Sequence, residues 1–131
     1  MSESTNLKIA LDNASDLFNN NNLNECIEQL EEILNIHPSN LKALSLLLYI
    51  NIKLNRAEKA LKIIKKLIQL EPDSKEHHEK LVKVHQFLND NRAYESALIN
   101  FHKKFPSITT ARLISNIHIE NDREEESDQV I

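Results

Sequence analysis

Apolar residues recur along the chain at helical spacing, not at the two-residue alternation of a strand. In LNECIEQLEEILNI, Leu23, Cys26, Ile27, Leu30, Ile33 and Leu34 fall at the three- and four-residue steps that gather on one face of a helix. AEKALKIIKKLIQL repeats the stripe with Ala57, Ala60, Leu61, Ile64, Leu67 and Ile68. Between them, LKALSLLLYINIKL is apolar on nearly every side, as a helix covered by two neighbours should be. The pattern predicts seven helices, over residues 5–19, 23–36, 40–54, 57–70, 74–88, 92–104 and 108–120, and no strand. The fold class is therefore all-α.

The helices come in a fixed cycle. Pro38, Pro72 and Pro106 are 34 residues apart, and so are Asn21, Asn55 and Asn89. The same interval links Cys26 to Ala60, Leu30 to Ile64 and Leu98, and Ile33 to Leu67 and Phe101. Each proline stops a helix, and Ser39, Asp73 or Ser107 beside it can cap the next. Asparagine is the residue that best replaces glycine in the left-handed conformation at a helix C-terminus, so each asparagine predicts a positive φ there. A unit reads helix A, Asn turn, helix B, Pro turn. The repeats span about 7–40, 41–74 and 75–108 of a single domain over 1–131, with 109–131 a terminal helix or a partial fourth repeat. ENDREEESDQVI begins like another turn and helix B, with Asn121 and Asp122 in the turn and Ser127 near its small-residue site; the alternative is a disordered acidic tail.

Composition narrows the chemistry. The 131 residues include no glycine, 3 prolines, 1 cysteine and no tryptophan. Without glycine there is no phosphate-cradling P-loop, no dinucleotide-binding turn and no nucleophile elbow. One cysteine makes neither an internal disulfide nor a thiolate zinc site. MSESTNLK lacks the basic and apolar regions of a secretory signal, and LSLLLYINI is too short to span a bilayer, so a cytoplasmic location is expected. The formal net charge is −4, unevenly spread: −6 over residues 1–41, +6 over 42–104 and −4 over 105–131. Such polarity reads first as solvated helix faces, and as a second reading suits steering of a partner or end-to-end self-association.

The 34-residue helix–turn–helix cycle resembles the tetratricopeptide repeat (TPR) family. Its motif has a small residue early in helix B, large apolar residues four and seven later, and proline twelve later. Cys26–Leu30–Ile33–Pro38 and Ala60–Ile64–Leu67–Pro72 match it, and YESALINF (Tyr94 to Phe101) resembles its aromatic–acidic–small–apolar run. In the third unit Ala97 lies only nine residues before Pro106. Either that turn has gained about three residues and helix B has lost a turn, or Tyr94 takes the small-residue site. In helix A the family's aromatic and small-residue pair are missing.

The resemblance implies a right-handed solenoid of helical hairpins whose A helices line a concave groove for a peptide or helix of another protein, in a scaffold or adaptor role. Carried over by position, the groove residues are Lys8, Leu11, Ser15 and Phe18 in the first unit and Lys42, Ser45, Tyr49, Ile52 and Lys53 in the second. They are Glu76, Glu79, Lys83 and Gln86 in the third unit, and Leu113 and Ile117 in the seventh helix. Lys8, Lys42, Lys53 and Lys83 beside Leu11, Tyr49 and Ile52 favour an acidic ligand with apolar anchors. The alternative place for Tyr49 is the core of a crowded helix. The clamp that some TPR co-chaperones close on a carboxylate would need cations and amides at Leu11, Ser15, Leu46, Glu76 and Lys80; only the last fits, so that clamp is not expected. Two other readings share the fold: a small client chaperone of the bacterial secretion kind, and a substrate-docking segment of a larger enzyme.

Other chemistry finds little support. EHHE (Glu76 to Glu79) sets His77 and His78 side by side, about 100° apart on a helix, which does not converge two ligands on a metal; the six histidines read as surface residues. No nucleophile stands with a base, and Cys26 falls at a packing position. An enzyme, a cofactor and a metal are not expected. Lys59, Lys62, Lys65 and Lys66 form a basic face with no aromatics interleaved, so a nucleic-acid partner is not expected; the face reads as solvated, with contact to phosphate or an anionic lipid as the alternative.

Overall fold

The computed structural model describes the backbone of residues 3–129 and the side chains of residues 5–123. Among these residues there are seven helices: α1 (Glu3–Asn19), α2 (Leu23–Ile36), α3 (Leu41–Lys53), α4 (Ala57–Leu70), α5 (Lys75–Phe87), α6 (Asn91–Lys104) and α7 (Ile108–Gln129). No described residue is in a strand. The chain divides into two compact units, Met1–Asp73 and Ser74–Ile131.

The Asn turns build the hairpins. Asn21, Asn55 and Asn89 have φ of 62°, 57° and 57°, and no other described residue has positive φ. Around Asn21 the Asn22 amide donates to the Leu17 carbonyl at 2.8 Å and the Asn21 amide to Phe18 at 3.0 Å. Around Asn55 the Arg56 amide donates to Asn51 at 2.8 Å and the Asn55 amide to Ile52 at 3.1 Å. These paired bonds satisfy carbonyls that a helix end leaves free, and they need one left-handed residue to close. In a chain with no glycine, asparagine supplies it.

The Pro turns act differently. The B helices end at His37, Glu71 and Phe105, which leave the helical conformation with φ of −123°, −134° and −132° and ψ of 75°, 73° and 73°. The next helix is then capped, but not always by the expected residue. Asn40 and Ser74, rather than Ser39 and Asp73, accept the amides of Ala43 and His77. Only Ser107 caps as expected, accepting the Thr110 amide at 3.1 Å. The third linker is thus one residue shorter, because its proline stands directly before the cap.

In the first unit the B-helix stripes are buried: Cys26, Leu30, Ile33, Ala60, Ile64 and Leu67 are all 4% exposed or less. α3 lies between α2 and α4 and buries Ala43, Leu44, Leu47, Leu48, Ile50 and Asn51. Asn51 is tolerated there because its amide donates to the Leu47 carbonyl at 2.9 Å. The Cys26 thiol donates to the Ala14 carbonyl at 3.2 Å, locking α2 against α1.

The second unit settles the third repeat. α6 begins at Asn91 and has 14 residues, like α2 and α4. Its turn has gained nothing, and half-buried Tyr94 takes the place of Cys26 and Ala60. Leu98 and Phe101 are buried at the positions of Leu30 and Ile33. His77 corrects the expectation of surface histidines: it is 7% exposed, at the place where the second repeat has Ala43.

Of the two readings offered for residues 109–131, the backbone takes a single helix. α7 runs without a break through Asn121 and Asp122 to Gln129, so no turn and no new B helix begins there. Neither residue adopts the left-handed conformation that turned the chain at Asn21, Asn55 and Asn89, and no proline interrupts the run. The segment to Gln129 is helical rather than disordered. The expected site of the Ser127 side chain lies outside the described residues. α7 is tied to α6 by a polar knot. Thr110 is 6% exposed. Its hydroxyl donates to the Ser107 carbonyl at 3.1 Å and meets the Ser107 hydroxyl at 2.9 Å and Nδ1 of His102.

Candidate functional site

A stripe on α1 and a stripe on α3 occupy the same repeat positions. Lys8, Leu11, Ser15 and Phe18 are 34 residues before Lys42, Ser45, Tyr49 and Ile52. Each set steps by three or four residues, so each gathers on one side of its helix. Lys8, Ser15, Lys42, Ser45, Tyr49 and Lys53 are exposed, and Leu11, Phe18 and Ile52 are half-buried.

The two stripes meet through Phe18 and Tyr49. Their ring centroids are 5.6 Å apart with the planes at 77°, the edge-to-face arrangement that aromatic quadrupoles favour. The Lys53 ammonium stands 5.9 Å from the centre of the Phe18 ring, at cation–π distance. Tyr49 is 56% exposed, which places it on the surface and not in the core of α3. An aromatic packed against a neighbouring ring and more than half exposed is a rigid contact of low entropic cost.

Glu79 and Lys83 are exposed on α5, in the second unit. Beside them Lys80 donates to Oε1 of Glu76 at 3.1 Å, and this bond holds the Glu76 carboxyl below the ordinary carboxylate range. The one cation among the five clamp positions is therefore already paired. On α7, Leu113 is exposed and Ile117 half-buried.

Sequence reasoning missed Phe18 as the partner of Tyr49, because the 34-residue period aligns Phe18 with Ile52 instead. It also missed a cleft of about 280 Å³ between the start of α1 and the end of α2, lined by Leu7, Ala10, Gln29, Glu32 and Ile36 among others. Among the described residues no three His, Cys, Asp or Glu side chains converge as a metal site, and no helix is long and apolar enough to cross a membrane.

The fold is shared with solved proteins. MamA 41-end from Desulfovibrio magneticus RS-1 superposes with a TM-score of 0.69 at 11% identity, over 94% of this chain and 70% of that one. Yeast Tom70 superposes with a TM-score of 0.77 at 12% identity, over 98% of this chain and 26% of that one. The first TPR of Spaghetti (RPAP3), bound to the HSP90 peptide SRMEEVD, gives 0.67 at 10% identity, over 92% of this chain and 96% of that one. At these identities the likeness is one of fold. No curated protein sequence matches the chain. The family profile of the tetratricopeptide repeat matches residues 6–83. With the 34-residue period, the asparagine-closed hairpins and the buried B-helix stripes, that match makes the chain a member of the tetratricopeptide repeat family.

Proposed function

We propose that the protein is a partner-binding module whose first unit holds a peptide or helix of another protein against the exposed stripes of α1 and α3. The carrying observation is the Phe18–Tyr49–Lys53 group: a tyrosine 56% exposed, packed on Phe18, which itself lies under the Lys53 ammonium. Lys8 and Lys42, exposed on the same stripes, add positive charge. The favoured ligand is an acidic segment with apolar anchors. The RPAP3 domain binds the acidic peptide SRMEEVD, which supports this class of ligand. Here the clamp positions hold Leu11, Ser15, Leu46, Glu76 and a Lys80 already paired with Glu76, so the ligand is read by its side chains and not by a terminal carboxylate. A scaffold or adaptor role follows, with no catalytic step.

The test is a peptide selected from a random library on the wild-type protein and titrated calorimetrically. Tyr49→Ala should weaken binding by about 1–3 kcal/mol, as truncation of an aromatic anchor does. Lys42→Ala should cost less and lose its effect at high salt, because exposed charge acts mainly through screened steering. Thermal stability measured on the same Tyr49→Ala protein separates the roles. Lost stability with unchanged affinity per folded molecule would refute the assignment.

A further inference from the structure

The outer faces of α2 and α4 carry inverse rows of charge, interrupted only by exposed Glu58 on the α4 arc, where α2 has Asn24. α2 carries Glu25, Glu28, Glu31 and Glu32; 34 residues on, α4 carries Lys59, Lys62, Lys65 and Lys66. Every acid in the row is matched by a base at the same repeat position. In each helix the four charges fall within about 120° of arc, away from the buried stripe. All four glutamates and Lys59, Lys62 and Lys65 are exposed, and Lys66 is half-buried. None of the eight forms an ion pair among the described residues. The third repeat breaks the pattern, with Ala93, Ser96, Ile99 and Asn100 at those positions.

An apolar residue completes each row. Ile36 at the end of α2 is 72% exposed, and Leu70, at the same position of α4, is 38% exposed. Ile36 also borders the cleft between α1 and α2.

From this inversion we infer that the protein pairs with a second copy of itself through the α2–α4 face. A twofold axis lying in that face and running along the two helices sets α2 of one copy on α4 of the other, parallel and in register. Glu25 then meets Lys59 of the second copy, Glu28 meets Lys62, Glu31 meets Lys65, and Glu32 meets Lys66. Ile36 meets Leu70 beside the cleft. The symmetry makes each contact twice, as an isologous interface requires. The other in-plane twofold, across the helices, would set α2 on α2 and glutamate on glutamate. Charge therefore selects one arrangement and rejects the other. The surface is separate from the α1 and α3 stripes, so a dimer leaves those stripes open, and this pairing does not depend on the reading given to them.

Because the contacts are mostly exposed ion pairs, the dimer should be weak and strongly salt-dependent. Sedimentation equilibrium of the full chain measures this. At about 50 mM salt a monomer–dimer equilibrium is expected, and its dissociation constant should rise about tenfold or more at about 500 mM. Two charge-reversed proteins make the test specific. One carries E25K, E28K, E31K and E32K, so both faces are basic; the other carries K59E, K62E, K65E and K66E, so both are acidic. Each alone should be monomeric, and an equimolar mixture should restore the dimer as a heterodimer. Circular dichroism of each confirms that the substituted helices fold. A wild type that stays monomeric at low salt to about 500 μM, a range that still reports weak complexes, overturns the inference. So does a pair of reversed proteins that do not associate, or that each dimerise as the wild type does. Association that grows into open filaments overturns the closed twofold pairing.

Discussion

Cys26 sits with no exposed surface between α1 and α2, and its thiol donates to the Ala14 carbonyl. Burial pushes the thiol above its ordinary value. The consequence for stability has a definite sign. The unfolded thiol ionises near pH 8.5, while the folded one stays protonated to higher pH. The contribution is therefore complete below about pH 8.5 and is lost as pH rises through the folded value. Urea unfolding of wild type and Cys26→Ala across that range should show the two stabilities converging as pH rises; parallel curves would contradict the burial. The asparagine turns make a second residue-scale test. Asn55, at φ 57°, should accept glycine with little change, whereas Asn55→Val should cost about 1–2 kcal/mol, because a β-branched side chain crowds the left-handed conformation. Equal urea midpoints for the two variants would mean that the turn does not need that geometry.

Ile64 shows how a B helix carries its unit. It is fully buried in the middle of α4, at the position shared with Leu30 and Leu98. Ile64→Ala should cost about 2–5 kcal/mol, read as a shift of the denaturant midpoint. At the other end of the chain, Thr110→Val removes the hydroxyl that joins Ser107 and His102. It should cost about 1–3 kcal/mol and speed hydrogen exchange in α7 before α6. The helices and their turns were legible because their signals are local. Asn21, Asn55 and Asn89 mark the turns, and the buried stripes keep an unbroken 34-residue spacing. What misled the reading depends on neighbours. Asn121 and Asp122 resemble a turn, yet the chain continues through them as helix. In the third repeat the sequence leaves the small-residue site open between Ala97, after a longer turn, and Tyr94, and the constant length of α6 puts Tyr94 there. Asn40 and Ser74 cap where Ser39 and Asp73 were expected, because the two-residue Pro turn delays helix entry by one position.

Across the molecule, a repeat with one backbone plan has been given different surfaces. α1 and α3 carry Lys8 and Lys42 in register, while Ser15 becomes Tyr49 and Phe18 becomes Ile52. Repetition thus places two like stripes side by side, and the departures from it create the aromatic contact. The candidate residues were legible as positions, since a period and a face suffice to find them. Their pairing was not, because Phe18 and Tyr49 meet across helices at different repeat positions. The most direct measurement is amide chemical-shift mapping of the isotope-labelled full chain with a library-selected peptide. Shifts centred on Phe18, Tyr49 and Lys53 and spreading along the exposed stripes of α1 and α3 are the expected result. Shifts centred on the outer faces of α2 and α4, with Tyr49 unmoved, would contradict the account.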